Sequence, residues 1–313
     1  MVTSLVLKSP VHLSVDLDGQ EKTNTLNFLN TIDKYTILEK KMVLIDLSDV
    51  VIATATASLM LFAFVNRSQI LTPELNLIRF KFPSRKVNSE GYRWIVQTGL
   101  SKALLCNTID KITGLTESNS YFQSSISPDT HSYKTAAMLQ KEAKMTSEQF
   151  ELLSSGISEA MLNVNHHAYE NERYSYQTSR MGKRWWQCCW FDSMNDSTVF
   201  IICDLGEGLC NTYIDNQNLF SINNLKLIDV AKEALAEGYS RFKNVGRGNG
   251  SEDMKRPIKS NISQYESLNI LSHRIQYVYS YQKNCLPSET YEITPELFPG
   301  TIIKWVLTPK RES

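Results

Sequence analysis

The sequence predicts an α/β protein of two domains. Three observations carry this. The chain has 313 residues, 42% of them hydrophobic and 21% charged, enough for two ordinary cores. Its first third alternates strand-like and helix-like apolar patterns. The remainder places apolar strands beside glycine loops and helices, with closing strands at the C-terminal end.

Taken in order, "LVLKSPVHLSVDL" alternates apolar and polar residues and reads as one or two strands. "TNTLNFLNTIDKYTILEK" has helical spacing. "KMVLIDLSDVVIA" is a strand, and "ATASLMLFAFVNRSQI" is a helix behind it. The apolar run Val50 to Val65 is short for a membrane span and carries two threonines and a serine, so a buried strand followed by a packed helix is expected. "LNLIRFKFP" is a strand stopped by Pro83, and "SEGYRWIVQTGLSKAL" is the last helix of a first domain over residues 1–112. The serine- and threonine-rich segment 113–135 lacks periodicity and is taken as a linker, leaving 136–313 as the second domain. There a helical stretch ends in "SEAMLNVNHHAYEN". Two strands follow, "RWWQCCWFD" and "STVFIICDLG", then a helix, "NNLKLIDVAKEALAEGYS". The loop "GRGNGSEDMKRPIKSNISQ" runs into a helix. "SLNILSHR", "QYVYSYQ" and "GTIIKWVLTP" read as closing strands. Trp185, Trp186 and Trp190 are assigned to the core and the domain interface.

Lysine plus arginine equals aspartate plus glutamate, 33 each, which leaves no electrostatic footprint for nucleic acid or an anionic membrane. Six cysteines lack a C-x-x-C pair and sit mostly in apolar runs, the pattern of reduced thiols in a cytoplasmic protein. The first residues lack the regions of a signal peptide.

The segment Ser158 to Glu170 concentrates polar residues. Phe150, Leu153, Ile157, Met161 and Val164 form a buried helical stripe, and Glu159, Asn163 and His167 share a second face. His166 and His167 are adjacent, so a regular helix points them about 100° apart and they do not ligate one zinc ion together. A solvated polar face is the plain alternative for this helix read alone. Downstream, "CDLGEGL" follows an apolar strand, an acid with glycines at +2 and +4 that permit a tight turn. "NVGRGNGSED" frees backbone amides near a helix start, as phosphate sites do, without the G-K-[ST] of a P-loop or a Rossmann fingerprint. "FPGTIIKWVL" puts Gly300 and Thr301 ahead of the last strand.

In this order, over about residues 135–309, these four elements resemble the GHKL ATPase family, the Bergerat fold, an α/β sandwich. "EAMLNVNHHAY" matches its E-x-x-x-N box in the anti-sigma-factor kinase version, "DLGEG" its D-x-G-x-G box, "GRGNG" its lid box and Gly300-Thr301 its final pair. The resemblance implies ATP and Mg²⁺ as cofactors. It implies that Asp204 accepts from the adenine amino group while Gly206 and Gly208 let the backbone pass the base. Asn163 would hold Mg²⁺, Glu159 would be the general base, and His167 would support the phosphate end. Gly246, Arg247, Gly248, Asn249 and Gly250 would wrap the phosphates, and Thr301 would contact the base side. Ser251 departs from the aliphatic residue usual after the last lid glycine, and "NTYIDNQNLFSINN" is a long polar loop between the glycine boxes. "MVLIDLSDVVIATATASLMLFAF" more loosely resembles the central strand–loop–helix of STAS domains, although "IATATAS" lacks their acid and glycine. Thr54, Thr56 and Ser58 are then either a phosphosite or buried residues at a helix start.

The function these resemblances imply is an ATP-gated switch acting on a protein partner, with slow hydrolysis if any. A serine/threonine kinase of the anti-sigma type and a non-catalytic interaction module are the alternatives. A histidine kinase fits less well, since "THSYKTA" around His131 does not resemble a phosphoacceptor box. Dimers are common in the family, and no interface stripe in the sequence decides the point.

Overall fold

The computed structural model describes residues 4–16, 19–217, 227–236, 250–260, 265–282 and 284–309. The chain is mixed α/β and divides into two compact units. Residues 1–124, with 176–182 and 186–188, form one; residues 125–175, 183–185 and 189–313 form the other.

In the first unit β1 (Leu5–Lys8), β3 (Val43–Asp46) and β5 (Ile78–Lys81) form a parallel sheet in the order β1-β3-β5. β2 (His12–Leu13) pairs with β4 (Ile52–Ala53), also in parallel. Parallel neighbours need crossovers, and helices α1 (Gln20–Asp33) and α2 (Ala55–Leu71) supply them. The apolar run expected to be a buried strand and helix is the two-residue β4, where Ile52 is exposed, followed by α2. Helix α2 is apolar nearly all round and buried nearly throughout, as the absence of a polar stripe requires. Thr54 caps it, its hydroxyl accepting from Ala57 N at 3.4 Å, and the Thr56 hydroxyl donates to Asp16 Oδ1 at 2.8 Å. Among the described residues, no helix is long and apolar enough to cross a membrane.

The last expected helix of this unit is broken. Ser89–Gln97 is α3 (Ser89–Tyr92) with a π turn, and Gly99 at φ +83° separates it from α4 (Leu100–Leu104). Segment 113–135, expected as an aperiodic linker, is ordered instead. It holds the end of α5 (Ile109–Glu117), strand β6 (Phe122–Ser125) and the start of α6 (Pro128–Ala143). Serine and threonine there sit within helices and a strand rather than marking a loop. Thr108 caps α5, while Ile112, Leu115 and Phe122 are buried.

The second unit places α6 and α7 (Ser147–Asn163) against a sheet built from β7 (Trp185–Asp192), β8 (Ser197–Cys203), β10 (Ser288–Leu307) and β9 (Tyr265–Gln282), side by side in that order. The single helical stretch of the sequence is thus two helices. Lys144 turns left-handed between them, and the Thr146 hydroxyl caps α7 by accepting from Gln149 N at 3.4 Å. Ile157 and Met161 of α7 pack with Phe200, Ile303 and Trp305 of the sheet. Trp185 and Trp186 are fully buried, and Trp190 is half-buried.

α8 (Ser175–Met181), α9 (Leu209–Gln217), α10 (Leu227–Ala234) and α11 (Gly250–Lys255) complete the described helices. Part of the stretch read as a polar loop is therefore α9, whose Tyr213 and Ile214 pack with Val230 and Ile275. "SLNILSHR" and "QYVYSYQ" are one strand, β9, with His273 at φ +53° inside it. Its partner β10 carries Pro295 and Pro299, and the register slips between Ile293 and Phe298 and again before Thr301. Proline cannot donate to a ladder, and the slips accommodate it. The six cysteines are free thiols, with Cys285 alone exposed.

Candidate functional site

Strand β8 delivers Asp204 into the interior, where it is 5% exposed. Its backbone N–H donates to Thr301 O at 2.9 Å, tying the strand end to β10. Its Oδ1 accepts from Gly206 N at 2.8 Å, and the Thr301 N–H also donates to the carboxyl. Burial outweighs both bonds and pushes Asp204 up to about 7. Among the described residues no cation stands beside this acid, so a further N–H donor would compensate its desolvated charge.

The three glycines around it are glycines for steric reasons. A Cβ on Gly206 would overlap the Ala168 carbonyl oxygen, and one on Gly300 would overlap the Asp204 carbonyl. Gly300 also holds φ +76°, and Gly208, at φ +79°, would bring a Cβ to 2.6 Å from His273 Nδ1. The two glycine motifs thus close on each other around Asp204. Thr301 is half-buried, 3.3 Å from Ser272 Oγ through its own hydroxyl.

The polar helix meets the same loop. Glu207 N donates to Ala168 O at 2.7 Å, and Leu205 N donates to the Tyr169 hydroxyl at 3.1 Å, which itself donates to Arg184 O. Asn163 lies five residues before Ala168, about 7 Å along a helix axis. Glu159 and Asn163 are half-buried and hydrogen-bonded to each other. Burial, then the nearby Asp253 carboxylate, raises Glu159 above the ordinary carboxylate range. Asp253 belongs to α11, which packs on α7 where Gly156 leaves room: a Cβ there would sit 3.3 Å from Asp253 O.

His167 departs from the expectation. Residues Val164–Ala168 form a π turn, so the 3.6-residue alignment with Glu159 and Asn163 stops at Asn163. His167 instead stands edge-on to His166, with ring centroids 6.0 Å apart. Gly246, Arg247, Gly248 and Asn249 lie outside the described residues, and Gly250 opens α11.

Several contributors carry no signal in the sequence. Ser272 accepts from Leu209 N at 2.8 Å and donates to Gly300 O at 3.0 Å, clamping one glycine motif to the other. Arg173 pairs with buried Glu207 at 2.7 Å. His273 is held toward its neutral form by burial and then by Arg173, and it shares a 3.0 Å bond with Asn211. Each acts across a long sequence separation, so only folding brings it to the site.

The donor set suits the expected ligands. One amide oxygen on Asn163 beside the Glu159 carboxyl fits an ion such as Mg²⁺, which takes few protein ligands and completes its shell with water and phosphate oxygens. Among the described residues no group of three or more His, Cys, Asp or Glu side chains converges as an all-protein metal site. No family model, no curated protein and no solved structure matches this chain.

Proposed function

We propose that the second unit is a GHKL-type Mg-ATP site in a Bergerat-like α/β sandwich, and that the first unit is a STAS-like domain. In this reading the protein is a cytoplasmic ATP-gated switch that changes its hold on a protein partner. The observation that carries it is the convergence on one buried carboxyl. Asp204, Gly206 and Gly208, the Gly300-Thr301 pair and the end of the Glu159–Asn163 helix come from separate parts of the chain, and they are bonded or packed around a single loop.

Asp204 accepts the exocyclic amino group of adenine, and the glycine backbone lies against the base. Thr301, bound to Ser272, orients the base side. Asn163 presents its amide oxygen to Mg²⁺, which neutralises charge on the phosphate oxygens when bound. Glu159, raised by burial, holds and moves the proton of a water, or of a partner's hydroxyl, as general base. Gly246, Arg247, Gly248 and Asn249, which lie outside the described residues, and Gly250 are assigned to wrapping the phosphates in this reading.

Calorimetric titration with a non-hydrolysable ATP analogue and Mg²⁺ tests this. Asp204→Asn is expected to weaken binding by at least about tenfold, since a buried acceptor is replaced by a mixed donor and acceptor. Glu159→Ala is expected to retain it. Equal affinity in wild type and Asp204→Asn overturns the assignment. Transfer of the γ-phosphate of labelled ATP to a protein would move the reading to the serine/threonine kinase, and phosphate release without a partner would favour an ATPase.

A further inference from the structure

The bend that carries Asp204 holds a second buried acid, Glu207, which is 5% exposed. Its two carboxyl oxygens are treated unequally. Oε1 accepts from Arg173 Nη2 at 2.7 Å, while Oε2 is buried with no hydrogen-bond partner among the described residues. A buried carboxylate oxygen without a donor costs stability, so its retention calls for a reason. Glu207 fills the second x of D-x-G-x-G, and the pattern that led to Asp204 does not call for an acid there.

The fold keeps this oxygen near Asp204. Glu207 N donates to Ala168 O at 2.7 Å, and Gly206 N donates to Asp204 Oδ1 at 2.8 Å, so the backbone between the two acids is pinned. Gly206 lies so close to Ala168 that a Cβ would overlap that carbonyl oxygen. Arg173 Nη2 also donates to the Tyr174 hydroxyl at 3.1 Å. Burial raises that hydroxyl most and Arg173 opposes the rise, while the Glu207 and Asp204 carboxyls both add to it. Both acids therefore lie within electrostatic reach of one group. Among the described residues, no third His, Cys, Asp or Glu converges with them as a metal site. What each acid lacks is an N–H donor, and the exocyclic amino group of adenine carries two hydrogens.

We propose that Glu207 is a second specificity-determining residue of the nucleotide site, its Oε2 accepting one hydrogen of the adenine amino group while Asp204 accepts the other. This rests on the nucleotide reading above and narrows it to purines with an unsubstituted 6-amino group. A base with a keto oxygen in that place sets an acceptor against two acceptors and is rejected.

Calorimetry on the full chain, with Mg²⁺ and a non-hydrolysable ATP analogue, is repeated with the N6-methyl and 2′-deoxy counterparts of that analogue. The N6-methyl compound keeps one amino hydrogen, for Asp204, and is expected to bind at least about tenfold more weakly than the parent. The 2′-deoxy compound is expected to bind within about twofold of the parent. Glu207→Gln keeps the bulk, turns its amide oxygen to Arg173 and its NH₂ to the base. The parent should then lose about fivefold or more, and the N6-methyl penalty should shrink to within about threefold. A ratio of two affinities in one protein is insensitive to a general loss of stability. Glu207→Asp keeps the charge for Arg173 and withdraws the carboxyl by one CH₂, and it is expected to shrink the penalty in the same way. Equal binding of parent and N6-methyl compound by wild type overturns the proposal. So does a methyl penalty unchanged in both variants, because bulk alone would then exclude the methyl group. A 2′-deoxy penalty in place of the methyl one assigns Glu207 to the sugar and overturns it too. These outcomes leave the nucleotide reading standing, whereas a wild type that does not bind the parent analogue overturns both.

Discussion

Helix α2 of the first unit and the Asp204–Leu209 loop of the second both bury polar side chains, and they differ in how charge is paired. On α2, Asn66 is fully buried and bonded at both ends: its amide donates to Cys106 O at 3.0 Å and its oxygen accepts from Trp186 Nε1 at 2.9 Å. Ser68 accepts from Thr36 at 2.8 Å, and Arg67 pairs with Asp33. Among the described residues of the loop and its surroundings, Asp204 is buried against backbone amides with no cation, and Glu207 is paired through one oxygen while the other is buried without a partner. Helix α2 also buries Arg67 Nε and Gln69 Oε1 without a partner among the described residues, so the difference lies in the carboxylates: Asp33 is met by Arg67, whereas Asp204 meets no cation among the described residues.

The largest expected effect tests the loop. Asp204 has an ordinary pKa of 3.8 and is pushed up to about 7 in the folded chain. Its folded-state value lies above the unfolded one, so the stability it contributes is full below about pH 4 and is lost as pH rises towards 7. The loss should reach about 4 kcal/mol. Urea unfolding of the ligand-free protein between about pH 4 and 8 should show that slope in wild type, and Asp204→Asn should flatten it. A flat wild-type profile would remove the contrast with α2.

The second test breaks the α2 side. Asn66→Leu leaves the Trp186 N–H and the Cys106 carbonyl buried and unpaired, and should cost about 3 kcal/mol by urea unfolding. A cost under about 1 kcal/mol would mean that water or repacking satisfies those groups.

Gly300→Ala sharpens the comparison at the loop. It puts a Cβ at φ +76° against the Asp204 carbonyl, and should cost about 2 kcal/mol together with a measurable loss of affinity for the ATP analogue. Thr54→Ala removes the cap of α2 and should cost about 1 kcal/mol by thermal unfolding, with no change in that affinity. If Thr54→Ala altered nucleotide affinity, the two regions would not be energetically separate.

Much of the fold was legible because its signals are local. The strand and helix patterns of the first third appear as β1 to β5 and α1 to α4, and the strand ends that carry Asp204 and Thr301 lie beside each other. Segment 113–135 was misread because serine and threonine sit in helices and strands as readily as in loops. The expected alignment of His167 failed because a π turn changes helical periodicity, and nothing in "NVNHHA" signals that turn.

By itself the sequence determined that α2 would be buried, since a helix apolar all round has no face to give to water. It also determined that an acid followed by glycines at +2 and +4 would close a strand in a tight turn. Only the tertiary structure decided that the turn would meet Ala168, Gly300 and Ser272, that burial would raise Asp204, and that β1 would be left as an edge beside α1. Local patterns follow from the geometry of neighbouring residues. Strand order, close backbone approach and desolvation depend on residues far apart in the chain, and only packing brings those together.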